Sequence, residues 1–242
     1  MKPISNRLET LVSMVTPGLP VADIGCDHGF LSIALVGRGI APSAIAMDLR
    51  PGPLSAAKEN IAADGLSDKI ETRLSDGLDK LSVGEAQAIV VAGMGGRLLI
   101  HILEAGDAVA QAATELVLQP QSEIPLVRKY LVDHGYRLLG EEMVFEDGKY
   151  YPMMKVAPKA QNRGEVLAER EADFLYGKML LASGHPVLRE YLAWEYGIKE
   201  GIREKLSQRE AAHSARLQEV TETMKKLSDA MEEIDRRGSY DG

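Results

Sequence analysis

Acidic and glycine residues alternate over residues 23–29, Asp-Ile-Gly-Cys-Asp-His-Gly, between an apolar run and a helical pattern. Glycines in such a turn let the backbone approach a ligand without an obstructing Cβ. A dinucleotide site has G-x-G-x-x-G and holds a pyrophosphate, which the carboxylates of Asp23 and Asp27 would repel. These carboxylates suit a cofactor that carries an ammonium and a sulfonium, as S-adenosylmethionine does. The alternative is an ordinary strand–turn–helix with capping aspartates.

Carboxylates and glycines recur where the next apolar runs end. Asp48 closes the second run, where a carboxylate can accept hydrogen bonds from both hydroxyls of a ribose. Asp76 and Gly77 follow the third run. In S-adenosylmethionine-binding enzymes of this fold, a residue there binds the adenine amine of the cofactor, although a surface turn alone would explain Asp76. The fourth run ends in Gly93 and Met94 with two further glycines. This predicts an open floor over which a flat base can approach a methyl group, and a tight turn is the alternative.

Short apolar runs that alternate with helical spacing predict a parallel, doubly wound sheet. The expected strands are 21–25, 43–48, 70–74, 87–92 and 115–119, and the expected helices include 54–63 and 97–103. The runs 136–145 and 150–156 flank Asp-Gly, which predicts a hairpin. A parallel sheet that ends in an antiparallel hairpin is typical of Rossmann-like class I methyltransferases. A short helix over 4–15, with Ser5 as N-cap, is expected before the first strand.

Strand signals end after residue 158, where a linker over 158–164 and helices over 165–181 and 186–206 are predicted. In the last segment apolar residues at spacings of three and four form one seam: Leu217, Val220, Met224, Leu227, Met231 and Ile234. We expect an α/β methyltransferase domain over 1–158 and a C-terminal helical, coiled-coil-like hairpin over 159–242. An amphipathic helix that covers the first domain is the alternative.

Composition narrows the class of protein. Cys26 is the one cysteine of the 242 residues, so no intramolecular disulfide forms, which favours a reducing cytoplasm. It lies in the first glycine loop, so a cysteine nucleophile near the fourth strand is not expected. The net charge of −8 argues against a DNA-coating protein. We expect no metal, no membrane span and a monomer.

The motifs together resemble the bacterial tRNA (adenine(22)-N1)-methyltransferase family, TrmK. The resemblance rests on residues 23–29, Gly-Pro-Leu-x-x-Ala-x-x-Asn at 52–60, Ser-Asp-Gly-Leu at 75–78, Ala-Gly-Met-Gly-Gly at 92–96, Leu-Gln-Pro at 118–120 and the architecture. Gln121 departs from the Asn expected after Gln-Pro. The resemblance implies methyl transfer from S-adenosylmethionine to N1 of a D-loop adenine in tRNA. A small-molecule methyltransferase of this fold, or a non-catalytic cofactor-binding interaction protein, are the alternatives.

The resemblance also implies roles for individual residues. The cofactor set is Asp23, Gly25, Asp27, His28 and Gly29 at the methionine end, Asp48 at the ribose, Asp76 and Gly77 at the adenine, and Gly93 and Met94 beside the sulfonium. The methylated base is cationic, so nearby oxygen atoms would stabilise it. The candidate catalytic residues are Asp27, His28 and Gln119. His28 either acts as a base or orients Asp27 or the cofactor.

Adenine N1 lies on the Watson–Crick edge, so the base must be unpaired, and tRNA must be held through phosphates and shape. The residues expected to bind substrate at the rim are Arg7, Arg97, Arg128 and Lys129, with Arg137 and Lys149 beside them. On the C-terminal helices the expected cations are Lys199, Arg203, Lys205 and Arg209, with glutamates between them. Each rim cation taken alone is more often a solvated surface charge than a ligand contact.

Overall fold

An eight-stranded sheet forms the centre of the computed structural model, which describes residues 3–207 and 214–238. The strands are β1 (Val21–Ile24), β2 (Ala44–Asp48), β3 (Ile70–Leu74), β4 (Ala88–Met94), β5 (Glu115–Pro120), β6 (Arg137–Glu146), β7 (Lys149–Ala157) and β8 (Glu165–Val166). Their order is β3-β2-β1-β4-β5-β7-β6-β8. The first five are parallel, and β7, β6 and β8 pair antiparallel, so the predicted sheet with its terminal hairpin is confirmed.

Six helices belong to the same part of the chain. They are α1 (Asn6–Met14), α2 (Phe30–Gly37), α3 (Pro51–Ala63), α4 (Gly96–Ala105), α5 (Asp107–Ala112) and α6 (Ile124–Asp133). The predicted N-cap is confirmed, because the Ser5 side chain accepts a hydrogen bond from the Leu8 N–H at 3.3 Å. Leu11 of α1 is buried in one core cluster with Val144 of β6 and Met153 of β7. This burial holds α1 against the terminal hairpin.

The register of the strands brings their carboxyl ends to one edge. Val21 of β1 pairs with Ala44 of β2 and with Ala88 of β4, so the loops after these strands emerge at the same level. In this sheet the strand order reverses between β1 and β4. Open parallel sheets form a crevice outside the carboxyl ends of the strands at such a reversal. Asp147 and Gly148 both have positive φ, 49° and 75°, as a type I′ turn requires. This turn closes the β6–β7 hairpin at that same edge.

The chain divides into two compact units between Glu169 and Arg170, C-terminal to the predicted boundary at residue 158. The helix predicted from residue 165 is wrong at its start, because β8 pairs with the first two residues of β6. This pairing satisfies backbone groups on the open edge of β6, a long-range contact that local periodicity does not contain.

The second unit is helical, with α7 (Glu171–Tyr176), α8 (Lys178–Ala182), α9 (Pro186–Ser207) and α10 (Ser214–Gly238). Arg189 near the start of α9 pairs with Asp235 near the end of α10, so these two helices are antiparallel. The seam of α10 is buried at Val220, Met224, Leu227 and Ile234, and half-buried at Leu217 and Met231. The predicted seam and helical hairpin are therefore confirmed.

Candidate active site

A cleft of about 510 Å³ lies at the carboxyl edge of the parallel strands. It contains nine of the ten predicted cofactor residues: Asp23, Gly25, Asp27, His28, Asp48, Asp76, Gly77, Gly93 and Met94. Its volume is within the range of small-molecule sites, about 300–1,000 Å³. Residues from four separate loops thus meet in one site.

The first loop is held against β2 by its backbone. The N–H groups of Gly25 and Cys26 both donate to the Met47 carbonyl, at 2.8 and 2.9 Å. Gly25 has φ +74°, and a Cβ at this position would overlap the terminal methyl of Met94. The left-handed backbone therefore favours glycine here, and a Cβ would also displace the flexible end of Met94, which lines the cleft.

Asp23 is a buried carboxylate at the base of this loop. The Ser32 hydroxyl donates to its Oδ2 at 2.8 Å. Burial raises the pKa of Asp23 to about 6, and the nearby Asp48 charge adds to the shift. The carboxyl is still mostly ionised at pH 7, and it pairs with no cation in the described part of the chain. Asp23 therefore favours a cationic group of a ligand.

Asp48 joins the first two loops. Its Oδ1 accepts a hydrogen bond from the Arg50 N–H at 2.8 Å, and its Oδ2 accepts one from the Asp27 N–H at 3.3 Å. Arg50 also lines the cleft, with its Nε 3.7 Å from Asp48 Oδ1. The carboxylate of Asp48 is thus positioned by two backbone donors at the end of β2.

The third loop and helix α4 form the far end of the cleft. The Ser75 hydroxyl donates to the Gly77 carbonyl at 3.1 Å and so shapes the turn that presents the exposed Asp76. A Cβ on Gly77 would lie 3.0 Å from the side chain of Ile102, so glycine lets α4 approach closely. The apolar walls are Leu49, Leu98 and Ile102. The sequence analysis missed these apolar lining residues, because they come from two distant segments of the chain.

Comparison with known proteins identifies the family to which the chain belongs. A methyltransferase-domain family model matches residues 4–154. The chain is 33% identical to the tRNA (adenine(22)-N(1))-methyltransferase of Bacillus subtilis over 95% of this chain and 94% of that protein. It belongs to the tRNA (adenine(22)-N1)-methyltransferase family. The predicted resemblance, fold class and methyltransferase activity are thereby confirmed.

Solved structures agree with this assignment. A putative tRNA (m1A22) methyltransferase of Streptococcus pneumoniae matches with a TM-score of 0.86 and 32% identity, over 95% of this chain and all of that one. The structure of the same protein in complex with S-adenosyl-L-methionine has a TM-score of 0.83 and 31% identity over 95% and 100% of the two chains. The B. subtilis TrmK structure has a TM-score of 0.81 and 32% identity over 95% and 99%.

Gly29 lies outside the cleft lining and precedes α2 with φ +75°. A Cβ there would lie 3.1 Å from the Cβ of Ala57, so glycine lets α2 approach α3. The expected contact of Gly29 with the cofactor stays a prediction.

Gln119, expected to touch the substrate base, is fully buried and outside the cleft lining. Its Oε1 accepts hydrogen bonds from the Gly93 N–H at 3.0 Å and from Arg7 Nη1 at 3.1 Å. Its Nε2 donates to the Pro120 carbonyl at 3.2 Å. Gln119 is thus a positioning residue, and Gln121, two residues later, is the glutamine that lines the cleft.

Arg7 is the predicted rim cation that the structure places in the cleft lining. Its guanidinium carbon lies 5.5 Å from the centroid of the Tyr151 ring, and its backbone N–H donates to Glu146 at 3.4 Å. Within the described residues, Nε and Nη2 of Arg7 donate to no side chain or carbonyl. These two donors are therefore available to a ligand.

Arg128 was expected at the rim, and this expectation is wrong. Its side chain is 1% exposed and donates to Glu141 Oε1 at 2.9 Å, and Glu141 is equally buried. The helical repeat of α6 turns Arg128 towards the sheet and its neighbour Lys129 outwards. Lys129 is exposed, pairs with Asp133 at 2.9 Å and lies outside the cleft lining.

The other predicted cations are dispersed. Arg97 is exposed beside the cleft and pairs with Glu123 at 2.5 Å. Arg137 starts β6 at the opposite edge of the sheet, whereas Lys149 starts β7 at the cleft edge. On α9, Lys199 and Arg203 pair with glutamates of the same helix, Lys205 is exposed, and Arg209 lies outside the described residues.

The described residues contain no cluster of three or more side chains that could together bind a metal ion. No helix among them is both long and apolar enough to span a bilayer.

Proposed function

We propose that the enzyme transfers a methyl group from S-adenosylmethionine to N1 of adenine 22 in tRNA. The observation that carries this proposal is the cleft, in which acidic side chains surround a glycine floor and a partly bonded arginine stands at the mouth. The family membership supplies the substrate and the position of the base.

The donor chemistry of the cleft fits S-adenosylmethionine. Asp23 offers a buried carboxylate without a cationic partner, suited to the amino acid ammonium. Asp48 is positioned to accept ribose hydroxyls, and Asp76 lines the same cleft as Leu49 and Ile102, against which an adenine ring can pack. When bound, the cofactor supplies an electrophilic methyl group on a sulfonium.

The chain supplies no nucleophile at the floor of the cleft. Burial, with the charges of Asp23, Asp48 and Asp27, raises the pKa of the Cys26 thiol above its ordinary value, which disfavours the thiolate. This environment argues against covalent catalysis through Cys26. Adenine N1 brings its own lone pair and loses no proton on methylation. Positioning of the base in line with the methyl group can therefore supply much of the rate.

The assigned roles follow from this chemistry. Asp27 has an exposed carboxylate in the cleft, with Oδ2 3.9 Å from His28 Nε2, and it can stabilise the cationic product base. A base is not needed, because adenine N1 loses no proton, and His28 lies too far from Asp27 for a direct hydrogen bond. Gln119 fixes the floor at Gly93 and the guanidinium of Arg7 together. Arg7 then donates to the phosphate or ribose of the flipped nucleotide.

We also propose that the enzyme is a cytoplasmic monomer that requires no metal and does not act on DNA. The apolar seam of α10 is buried within the chain's own second unit, so this seam is not available to a coiled-coil dimer. The one cysteine suits a reducing compartment.

The test is methyl transfer from labelled S-adenosylmethionine to an unmodified tRNA transcript, read by nucleoside mass spectrometry. We expect N1-methyladenosine with A22 present and none when A22 is replaced by guanine. Methylation that persists without A22, or cofactor binding with no product on any tRNA, would overturn the proposal. The latter result would favour a small-molecule substrate.

A further inference from the structure

Gln121 carries the one side-chain amide among the described residues that line the cleft. Its side chain is exposed there and makes no hydrogen bond with the described part of the chain. The carboxylates of Asp23, Asp48 and Asp76 are assigned to the cofactor. The roles given so far therefore leave the oxygen and the nitrogen of the Gln121 amide available to the substrate.

The backbone around Gln121 is held against the end of β4. The Gln121 N–H donates to the Met94 carbonyl at 2.8 Å, and the Ser122 hydroxyl accepts the Gly96 N–H at 3.2 Å. Binding a ligand costs free energy for every group that must be ordered. Because the backbone is already fixed, only the side chain of Gln121 has to be ordered when its amide binds a base.

The amide borders the open space above Gly93. A Cβ on Gly93 would lie 3.9 Å from Gln121 Nε2 and 3.9 Å from Arg7 Nη1. Gly93 is the position predicted beside the sulfonium, and Arg7 is the arginine assigned to the flipped nucleotide. The Gln121 amide thus lies where the target adenine has to approach the methyl group.

Methylation at N1 limits how a protein can recognise the adenine. The N1 lone pair must point at the methyl group, so no protein donor can occupy it. The Hoogsteen edge remains, where the N6 amino group is a donor and N7 is an acceptor. A glutamine amide matches this edge with two parallel hydrogen bonds. Arg7 offers donors only and Asp27 acceptors only, so neither can make this pair.

We propose that the Gln121 amide holds the target adenine by its Hoogsteen edge, with Oε1 accepting from the N6 amino group and Nε2 donating to N7. This role rests on the proposed methylation of adenine 22, and it names the residue that selects the base. Guanine has an oxygen at position 6, so it presents two acceptors and cannot form the pair. Positive charge spreads from N1 to the N6 amino group on methylation, so the Oε1 contact strengthens during the reaction and contributes to kcat.

The experiment measures methylation of tRNAs assembled from synthetic fragments with adenosine or 7-deazaadenosine at position 22. The analogue keeps N1 and the N6 amino group but has a C–H in place of N7. We expect kcat/KM of the wild type to fall about tenfold with the analogue. Gln121→Ala should lose about tenfold to a hundredfold on adenosine and should show no further loss with 7-deazaadenosine.

Two variants complete the design. Gln121→Glu keeps an acceptor for the N6 amino group but no donor for N7, so 7-deazaadenosine should cost it nothing further. Purine riboside at position 22, which lacks the amino group, should reduce the rate of Gln121→Glu by a larger factor than that of Gln121→Ala. Gln87→Ala removes an exposed glutamine that precedes β4 outside the cleft lining, and it should match wild type on every tRNA. Thermal unfolding and calorimetric binding of S-adenosylhomocysteine report whether each variant keeps its fold and its cofactor cleft.

The comparison of adenosine with 7-deazaadenosine in wild type needs no variant. Equal kcat/KM values on these two tRNAs would overturn the Hoogsteen contact. Multiplied effects of Gln121→Ala and 7-deazaadenosine would overturn it as well, because they would show that N7 is recognised by another group. If wild type forms no N1-methyladenosine on the adenosine tRNA, the proposed function fails instead.

Discussion

Replacing Gln119 by leucine tests whether one buried amide controls both the floor and the mouth of the cleft. The substitution keeps the side-chain size but removes the acceptor of the Gly93 N–H and of Arg7 Nη1. A hydrogen bond from a charged donor contributes about 1.5–3 kcal/mol and a neutral one about 0.5–1.5 kcal/mol. Because Arg7 can still be hydrated at the mouth, we expect a loss of about 2–3 kcal/mol in the free energy of unfolding.

The functional consequence is expected in tRNA binding. Without its acceptor, the guanidinium of Arg7 samples other rotamers, and a loss of about 1.4 kcal/mol corresponds to a tenfold rise in the KM for tRNA. Arg7→Ala should give a similar rise. If Gln119 acts through Arg7, the double variant should also rise about tenfold rather than a hundredfold.

The assay is the initial rate of N1-methyladenosine formation against tRNA concentration, with thermal unfolding measured in parallel. Lys58→Ala, which removes an exposed cation on α3 outside the cleft, is the matched control and should leave the KM unchanged. Multiplied KM effects in the double variant would refute the coupling. A loss of kcat in Gln119→Leu with Arg7→Ala unaffected would show instead that the Gln119 amide contacts the base.

Three further outcomes follow from single contacts. Burial raises the pKa of Asp23 to about 6, so the folded chain binds the proton more tightly than the unfolded chain, and stability falls as pH rises from about 4 to 6. Denaturant unfolding without cofactor should show wild type losing about 3 kcal/mol more than Asp23→Asn across this window, and parallel pH profiles would contradict the assignment. Gly25→Ala should weaken S-adenosylhomocysteine binding in calorimetry, whereas Gly18→Ala, with the same strained backbone but open space around it, should not; equal affinities would refute the close-approach argument. Arg128→Ala should destabilise the fold by about 3–5 kcal/mol and Lys129→Ala by less than about 0.5 kcal/mol, as thermal unfolding will show; equal melting temperatures would contradict the buried ion pair.

The local sequence pattern was sufficient to predict a strand wherever the environment of its residues follows from their neighbours in the chain. Seven of the eight strands were predicted from the sequence. β1 and β5 are buried along their whole length, as strands inside a parallel sheet are, and the β6–β7 hairpin was predicted from the Asp-Gly turn between two β-rich runs. β8 has only two residues, and it forms because the edge of β6 is available nearby in space. No periodicity can be read from two residues.

The residues of the cleft also divide into those that the local sequence pattern predicted and those whose place depends on distant partners. Asp23, Asp48 and Asp76 were predicted as a set because each follows an apolar run, and parallel strands bring their carboxyl ends to one edge. Arg128 and Gln119 were misplaced because burial of a polar side chain depends on a distant partner. Glu141 lies on strand β6 whereas Arg128 lies on helix α6, and Gln119 meets Arg7 of helix α1.

The sequence by itself determined the fold class, the cofactor motifs and the family, since these depend on residue types at short, ordered spacings. The tertiary structure alone decided which cations face the cleft and which glutamine lines it. Those properties depend on the direction of each side chain after packing, and packing joins residues that are more than a hundred positions apart, as in the contact of Arg7 with Gln119.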